Sequence, residues 1–264
     1  MTTPASQYEY RGPKAAYWDL LRGDTSKWED RPFYWAAIKA SGEPALDVGC
    51  GTGRLLLDFL AQGIDIDGVD NSPEMLELCR QKAQRLGLRP ALFQQPMEDL
   101  RLPRAYRTII VPSSSSQLVT VRAAEAEAMH RLFQHLEPGG SLVMPFMLLW
   151  QGQTDSHTVT TDWEIRAEAT RPDDGAVVRR WSRSTFDVVG QLEHTEDRYE
   201  VIRGGEVVEA EHQVRSPATR RYTQPQVMEL YTAAGFADVR LVRGFTDVPT
   251  TEADTIFSAF GRRP

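Results

Sequence analysis

Hydrophobic and polar positions follow two different periods along this chain, and the period changes from one segment to the next. Residues 45–48 form a short apolar run, which predicts a buried strand. Three glycines follow at every second position, and residues 55–60 then show the period of a helix. Residues 64–69 alternate and predict a second strand, which ends at Asp70. The pattern therefore predicts a strand, a glycine turn, a helix and a further strand.

The glycine turn is suited to contact a ligand. Gly49, Gly51 and Gly53 have no Cβ, so the backbone can adopt positive φ there or let a ligand approach closely. The following helix begins with free backbone N–H groups that carry partial positive charge. The turn directs these groups at a polar ligand. An acid at the end of the second strand, about twenty residues later, is placed to accept hydrogen bonds from both ribose hydroxyls of a nucleoside. Asp70 has this position, so the segment predicts a nucleoside-binding α/β unit.

The glycine spacing indicates which nucleoside to expect. A dinucleotide-binding turn has the pattern G-x-G-x-x-G, whereas here the third glycine is Gly53 and position 54 is Arg. The string LDVGCGTGRL at 46–55, followed by GVDNSPEML at 68–76, resembles motif I and the next acidic-strand motif of class I S-adenosylmethionine-dependent methyltransferases. The resemblance implies S-adenosylmethionine as the cofactor and methyl transfer as the reaction.

The resemblance continues in order along the chain. Residues 91–95, 108–111 and 141–144 match the third, fourth and fifth strands of that family, and residues 230–242 resemble its last helix and closing strand pair. It therefore implies an α/β fold with a Rossmann-like, mostly parallel sheet of seven strands and helices on both faces. Alternating residues between 155 and 215 predict an insertion of about four antiparallel strands, with a two-residue hairpin at Gly204-Gly205.

Aromatic residues are concentrated between positions 8 and 40, where two amphipathic segments predict an N-terminal helical cap. Helices placed before the first strand are expected over the carboxyl ends of the strands, where α/β sheets bind ligands. Tyr17 and Trp28 are the aromatic candidates for cofactor contact. The expected domains are the cap at 1–40, the methyltransferase core at 41–154 and 216–264, and the β subdomain at 155–215.

The resemblance also implies individual roles. Asp47 is expected to orient the turn or the cofactor amine, and Asp70 to bind the ribose. Pro96 stands where the family usually has an acid beside the adenine, which leaves Glu98 or Asp99 as substitute acceptors. The complete set of expected cofactor-binding residues is Tyr17, Trp28, Asp47, Gly49, Cys50, Gly51, Gly53, Asp70, Asn71, Met75, Met97, Glu98 and Pro112.

The acceptor side carries fewer sequence signals. Nucleic-acid amino-methylating members of the family have Asn/Asp-Pro-Pro-Tyr/Phe after the fourth strand, and residues 111–114 here are VPSS. That difference favours a small-molecule acceptor, with Ser113 and Gln117 as candidate substrate contacts or as parts of a local polar turn. His157, His194 and the N-terminal tyrosines are candidate bases, but spacing identifies no partner for any of them. No catalytic residue and no metal site are assigned, and transfer to O, N, S or C stays open.

Composition and charge limit the classes of binding partner that we expect. The 264 residues carry 30 basic and 37 acidic side chains, and the net charge of −7 argues against a basic nucleic-acid-binding surface. A signal-peptide pattern and a run of about eighteen apolar residues are both missing, and two cysteines suggest no disulfide framework. We therefore expect a cytoplasmic protein without nucleic-acid or membrane partners. The β insertion is a candidate wall of the acceptor pocket, a candidate homodimer interface, or both.

Two alternative functions share these features. A cofactor-binding sensor or scaffold is compatible with the same fold, because a fold does not determine a function. A nicotinamide-dependent oxidoreductase also uses a ribose-binding acid, but Arg54 replaces the residue type that its fingerprint requires. The methyltransferase hypothesis agrees with more of the chain than either alternative.

Overall fold

The computed structural model describes residues 9–148 and 158–264. The chain divides into two compact units: a smaller one from residues 1–27 and 150–220, and a larger one from residues 28–149 and 221–264. The three-part division expected from the sequence stays a prediction, and these units have different bounds. The first half of the expected cap groups with the inserted strands, and the second half belongs to the larger unit.

Helices and strands alternate through most of the described residues. The α-helices are α1 (Pro13–Ala16), α2 (Trp18–Arg22), α3 (Asp30–Ser41), α4 (Leu56–Ala61), α5 (Pro73–Arg85), α6 (Arg122–Gln134) and α7 (Gln224–Ala233). The strands are β1 (Ala45–Val48), β2 (Ile66–Asp70), β3 (Leu92–Gln94), β4 (Tyr106–Ile110), β5 (Leu136–Met147), β6 (Thr158–Thr160), β7 (Glu164–Thr170), β8 (Val177–Asp187), β9 (Leu192–Arg203), β10 (Glu206–Arg220), β11 (Ala237–Arg243) and β12 (Ile256–Arg262). Short 3₁₀ helices cover Met97–Asp99 and Ser115–Leu118.

The larger unit is built around a seven-stranded sheet with the order β11-β12-β5-β4-β1-β2-β3. Strands β1 to β5 pair in parallel, and β12 is antiparallel to both β5 and β11. Strand β1 lies between β2 and β4, and its Asp47 is opposite Gly68 on one side and Ile110 on the other. This arrangement confirms the mostly parallel, Rossmann-like sheet, and it brings the carboxyl ends of β1, β2 and β4 to one edge.

Alternate residues of the central strands belong to two hydrophobic clusters. Leu46 and Ile109 lie in a cluster with residues of α6 and α7, whereas Ala45 and Ile110 lie in a cluster with residues of α3, α4 and α5. Side chains of successive strand residues point to opposite faces, so helices cover both faces of the sheet. The buried strands consequently read as continuous apolar runs.

The smaller unit contains an antiparallel sheet with the order β10-β9-β8-β6, in which β7 also pairs with β8. It has five strands where about four were predicted, because β6 is too short to show a period in the sequence. The predicted hairpin is present between β9 and β10, and Gly204 and Gly205 have φ of 57° and 87°. No helix of the described residues is long and apolar enough to cross a membrane.

Candidate functional site

The glycine turn follows β1 and is held by backbone hydrogen bonds. The N–H groups of Gly49 and Cys50 donate to the Val69 carbonyl at 2.8 and 3.0 Å, and the Gly53 N–H donates to the Cys50 carbonyl at 2.9 Å. Gly49, Gly51 and Gly53 have φ of 73°, 56° and 83°, a region in which a side chain is strained. The protein's own backbone hydrogen bonds therefore fix the turn to the end of β2.

The three glycines meet different neighbours. A Cβ at Gly49 would lie 2.8 Å from Ser115 Oγ, and a Cβ at Gly53 would lie 2.6 Å from Cys79 Sγ. At Gly51 the nearest atom is the flexible Met75 Cε, at 3.2 Å. Packing within the protein therefore requires glycine at the outer two positions, while Gly51 has the most room on its Cβ side.

Asp70 connects the turn to the second strand. Its carboxylate accepts hydrogen bonds from the backbone N–H of Gly51 and of Ser72, both at 2.8 Å. Ser72 caps α5 by accepting from the Met75 N–H at 3.1 Å, and Pro73 occupies the first helical position.

Asp47 is a buried acid beside the turn, with 1% of its surface exposed. Burial raises the pKa of Asp47 to about 7, and the charges of Asp70 and Asp30 act in the same direction. The Arg54 charge and a hydrogen bond from the Leu56 backbone oppose this shift. Asp47 Oδ1 has no hydrogen-bond partner among the described residues. A buried acceptor without a donor is costly, and a ligand ammonium would satisfy it.

Arg54 fixes the far end of the turn to the start of α3. Its Nη1 donates to Asp30 Oδ1 at 2.9 Å and its Nη2 donates to Asp30 Oδ2, which makes a bidentate ion pair. Trp28 lies with its ring 5.0 Å from the guanidinium. The sequence shows Arg54 only as a departure from the dinucleotide fingerprint. Its partner could not be predicted, because no spacing rule relates residues this far apart.

The segment after β3 lies near Asp70, because the Gln95 N–H donates to the Asp70 carbonyl at 3.1 Å. Met97 packs against the hydrophobic cluster that contains α6. Asp99 is exposed and paired with Arg101 at 2.8 Å. Glu98 is half-buried, and its carboxylate has no hydrogen-bond or ion-pair partner among the residues that the structure describes. Of the two substitute adenine acceptors, Glu98 is therefore the one whose carboxylate is not already paired within the described residues.

We expect Glu98→Gln to weaken binding of S-adenosylmethionine by about 1 kcal/mol, the size of one hydrogen bond to a carboxylate. Asp99→Asn is the matched control and should leave the affinity unchanged, because its carboxylate is already engaged by Arg101. Isothermal titration of both variants measures the difference. A loss confined to Asp99→Asn would reverse the assignment.

Several other candidate side chains make contacts inside the protein. Cys50 is buried with its Sγ beside Gly68, and burial raises the pKa of its thiol, so only its backbone is offered to a ligand. Met75 is buried beneath Gly51, and Asn71 is exposed. Pro112 accepts hydrogen bonds at its carbonyl from the Ser115 N–H and hydroxyl, at 3.1 and 2.7 Å.

The serine segment after β4 has an unusual backbone and a fixed amide. Ser113 and Ser114 both have φ of 57°. Gln117 is 1% exposed, and its amide pairs with both backbone groups of Met147 at 2.8 and 3.1 Å. This amide is bound to β5, and the contact of Gln117 with the acceptor stays a prediction. Ser113 is exposed and stays a candidate substrate contact.

Tyr17 and His194 lie in the smaller unit. The Tyr17 hydroxyl accepts a hydrogen bond from Arg171 Nη1 at 3.3 Å, and His194 Nδ1 is 2.7 Å from Ser216 Oγ. The role of Tyr17 at the cofactor stays a prediction. His157 lies outside the described residues.

Comparisons with known proteins agree with the methyltransferase resemblance of the sequence. The model of a methyltransferase domain family matches residues 45–140, which include the glycine turn, Asp70 and Glu98. A dTDP-3-amino-3,4,6-trideoxy-α-D-glucopyranose N,N-dimethyltransferase of Streptomyces venezuelae is 31% identical over 140 residues, covering 53% of this chain and 54% of that protein.

Two solved structures extend the similarity to most of the chain. Streptomyces venezuelae DesVI is 25% identical with a TM-score of 0.69, and the match covers 96% of this chain and 99% of DesVI. An S-adenosylmethionine-dependent methyltransferase of Clostridium acetobutylicum has a TM-score of 0.74 at 16% identity, covering 94% and 96% of the two chains. At that identity the second match shows the fold alone.

Proposed function

Because the chain belongs to the class I S-adenosylmethionine-dependent methyltransferases, we propose that its glycine turn and Asp70 bind this cofactor for methyl transfer to an amino nitrogen of a small sugar-like acceptor. The observation that supports the site assignment is the Asp70 carboxylate, which joins the glycine turn to the end of β2 and would bind the ribose there. Asp47, with its unpartnered buried oxygen, would hold the ammonium group. Glu98 would accept from the adenine amino group.

The remaining candidates would act through packing and backbone groups. Gly49, Cys50, Gly51 and Gly53 would present the turn to the amino-acid end of the cofactor. Met75 and Met97 would support the adenosine from below, beside Asn71. Pro112 and Ser113 would border the methyl-donating end, and Trp28 and Tyr17 would cover the cofactor from the N-terminal side.

The chemistry follows from the cofactor, which supplies an activated methyl group on a sulfonium leaving group. The protein's contribution is then to hold acceptor and donor in line and to exclude water. An amine must lose its proton before it attacks, so a general base is required when the acceptor binds as an ammonium. The exposed Ser113 at the end of β4 is suited to orient such an acceptor by a hydrogen bond.

The nitrogen of an amino sugar is the first acceptor to test. This choice rests on the activity that names the Streptomyces venezuelae N,N-dimethyltransferase, which matches about half of the chain. The net charge of −7 agrees with a small-molecule acceptor rather than a nucleic acid. A cytoplasmic location, where S-adenosylmethionine is made, also belongs to this proposal.

The β insertion is the proposed homodimer interface. Strand β10 pairs with β9 on one side only among the described strands, and Val207, Val208 and Val214 are 52%, 55% and 60% exposed. Exposed apolar edge strands are templates for pairing with another chain. Sedimentation velocity should detect a dimer at micromolar concentration, and a Val208→Lys variant should shift it toward monomer. A monomeric unmodified protein would contradict this interface.

One experiment separates the proposed function from its alternatives. The purified protein is titrated with S-adenosylmethionine, S-adenosylhomocysteine and NADH, and is then incubated with S-adenosylmethionine and a panel of nucleoside-diphosphate amino sugars. We expect micromolar binding of the two sulfur nucleosides, no binding of NADH, and a mass increase of one or two methyl groups on an amino sugar. Binding without turnover of any acceptor would favour a sensor, and binding of NADH alone would indicate an oxidoreductase.

A further inference from the structure

The N-terminus of α3 makes an ion pair with the residue that closes the glycine turn. Arg54 and Asp30 form their bidentate pair with only 12% and 5% of their side-chain surfaces exposed. Trp28 lies over the guanidinium and is itself 39% exposed. A pair so little exposed pays a desolvation cost that its mutual attraction only partly offsets, so packing alone is a weak reason for its presence.

The same guanidinium acts on a third acid. Asp47 is buried at the end of β1, and Arg54 is the largest influence that favours its carboxylate form, opposing the effect of burial. The neighbouring acids Asp30 and Asp70 disfavour that form. The other titratable groups that interact with Asp47 are the Tyr34 hydroxyl from α3, the Cys50 thiol from the turn and the Cys79 thiol from α5.

We propose that Asp30 is a positioning residue which, through Arg54, holds the glycine turn and sets the charge that Asp47 presents to the cofactor ammonium. This inference rests on the proposed cofactor site. Asp30 orients Arg54 beside the turn, and its negative charge offsets part of the positive charge that favours the Asp47 carboxylate. Replacing Arg54 and replacing Asp30 should therefore shift the pKa of Asp47 in opposite directions.

The direction of each effect follows from the charges. Burial raises the pKa of Asp47 to about 7, so in the unmodified protein the carboxylate, and with it the affinity for an ammonium ligand, is gained as the pH rises through about 7. Arg54→Gln removes the favourable charge, and the pKa of Asp47 rises. Asp30→Asn removes an unfavourable charge while its amide oxygen still accepts from Arg54, so the pKa of Asp47 falls.

The test is the affinity for S-adenosylhomocysteine, measured by calorimetry between pH 5.5 and 9. Relative to the unmodified protein, we expect the midpoint of the pH dependence to move up by about one unit in Arg54→Gln and down by about half a unit in Asp30→Asn. Titration of the ligand itself is common to all variants and cancels in the comparison. Circular dichroism confirms that each variant is folded.

Asp58→Asn is the matched control. Asp58 pairs with Arg31 at 3.1 Å and lies in the same region, but it is not one of the largest influences on the pKa of Asp47. Its midpoint should equal that of the unmodified protein. If Arg54→Gln and Asp30→Asn weaken binding equally at every pH, or shift the midpoint in one direction, the pair is only a structural tie and the inference is wrong. No binding by the unmodified protein at any pH would instead refute the cofactor site, and the inference with it.

Discussion

Replacing Gly53 by alanine should lower the free energy of unfolding by about 3 kcal/mol. Its φ of 83° is strained for any other residue, which costs about 1 kcal/mol, and the added Cβ would lie 2.6 Å from Cys79 Sγ and 2.8 Å from Leu57 Cγ. Overpacking of this kind costs about 1 to 3 kcal/mol. Urea denaturation followed by tryptophan fluorescence measures the change.

Gly63→Ala is the control for this effect. Gly63 has nearly the same φ, 84°, but no atom lies within 4 Å of its Cβ position. We expect a loss of about 1 kcal/mol there, from backbone strain alone. Equal losses at the two positions would show that strain dominates, and that the close packing of α4 and α5 against the turn is not the reason for glycine at position 53.

Replacing Asp70 by alanine should weaken binding of S-adenosylmethionine by about 100-fold, or about 3 kcal/mol. The substitution removes the expected hydrogen bonds to the ribose, and it leaves the N–H groups of Gly51 and Ser72 without the acceptor that now fixes them. The affinity is measured by calorimetric titration of the folded variant.

Asp70→Asn separates the two contributions. The amide oxygen still accepts from one backbone N–H, but the charge and the second acceptor are lost. We expect an intermediate loss of about tenfold. An Asp70→Ala variant that is folded and binds with unchanged affinity would remove Asp70 from the site.

Local patterns along the chain predicted the parts of the fold that depend on neighbours in sequence. The strand, glycine turn and helix around Gly49–Gly53 follow from periodicity and residue chemistry, and all three are present. The seven-stranded sheet followed from the resemblance, because its order cannot be derived from apolar runs alone. The three-residue strand β6 left no period to detect.

The site was predictable in its backbone but less so in its side-chain partners. The glycines and Asp70 are fixed by their positions at strand ends, which a sequence reveals. The pairing of Arg54 with Asp30, and of the Gln117 amide with Met147, depends on how α3 and β5 pack in three dimensions. The partners of Arg54 and Gln117 are therefore visible only in the folded structure.

The most direct test of the cofactor site is a crystal structure of the protein with S-adenosylhomocysteine. We expect both ribose hydroxyls within hydrogen-bonding distance of the Asp70 carboxylate, the amino-acid end of the ligand against residues 49–53, and its ammonium group beside Asp47. A nucleoside bound elsewhere, or bound here with its ribose turned away from Asp70, would contradict the account.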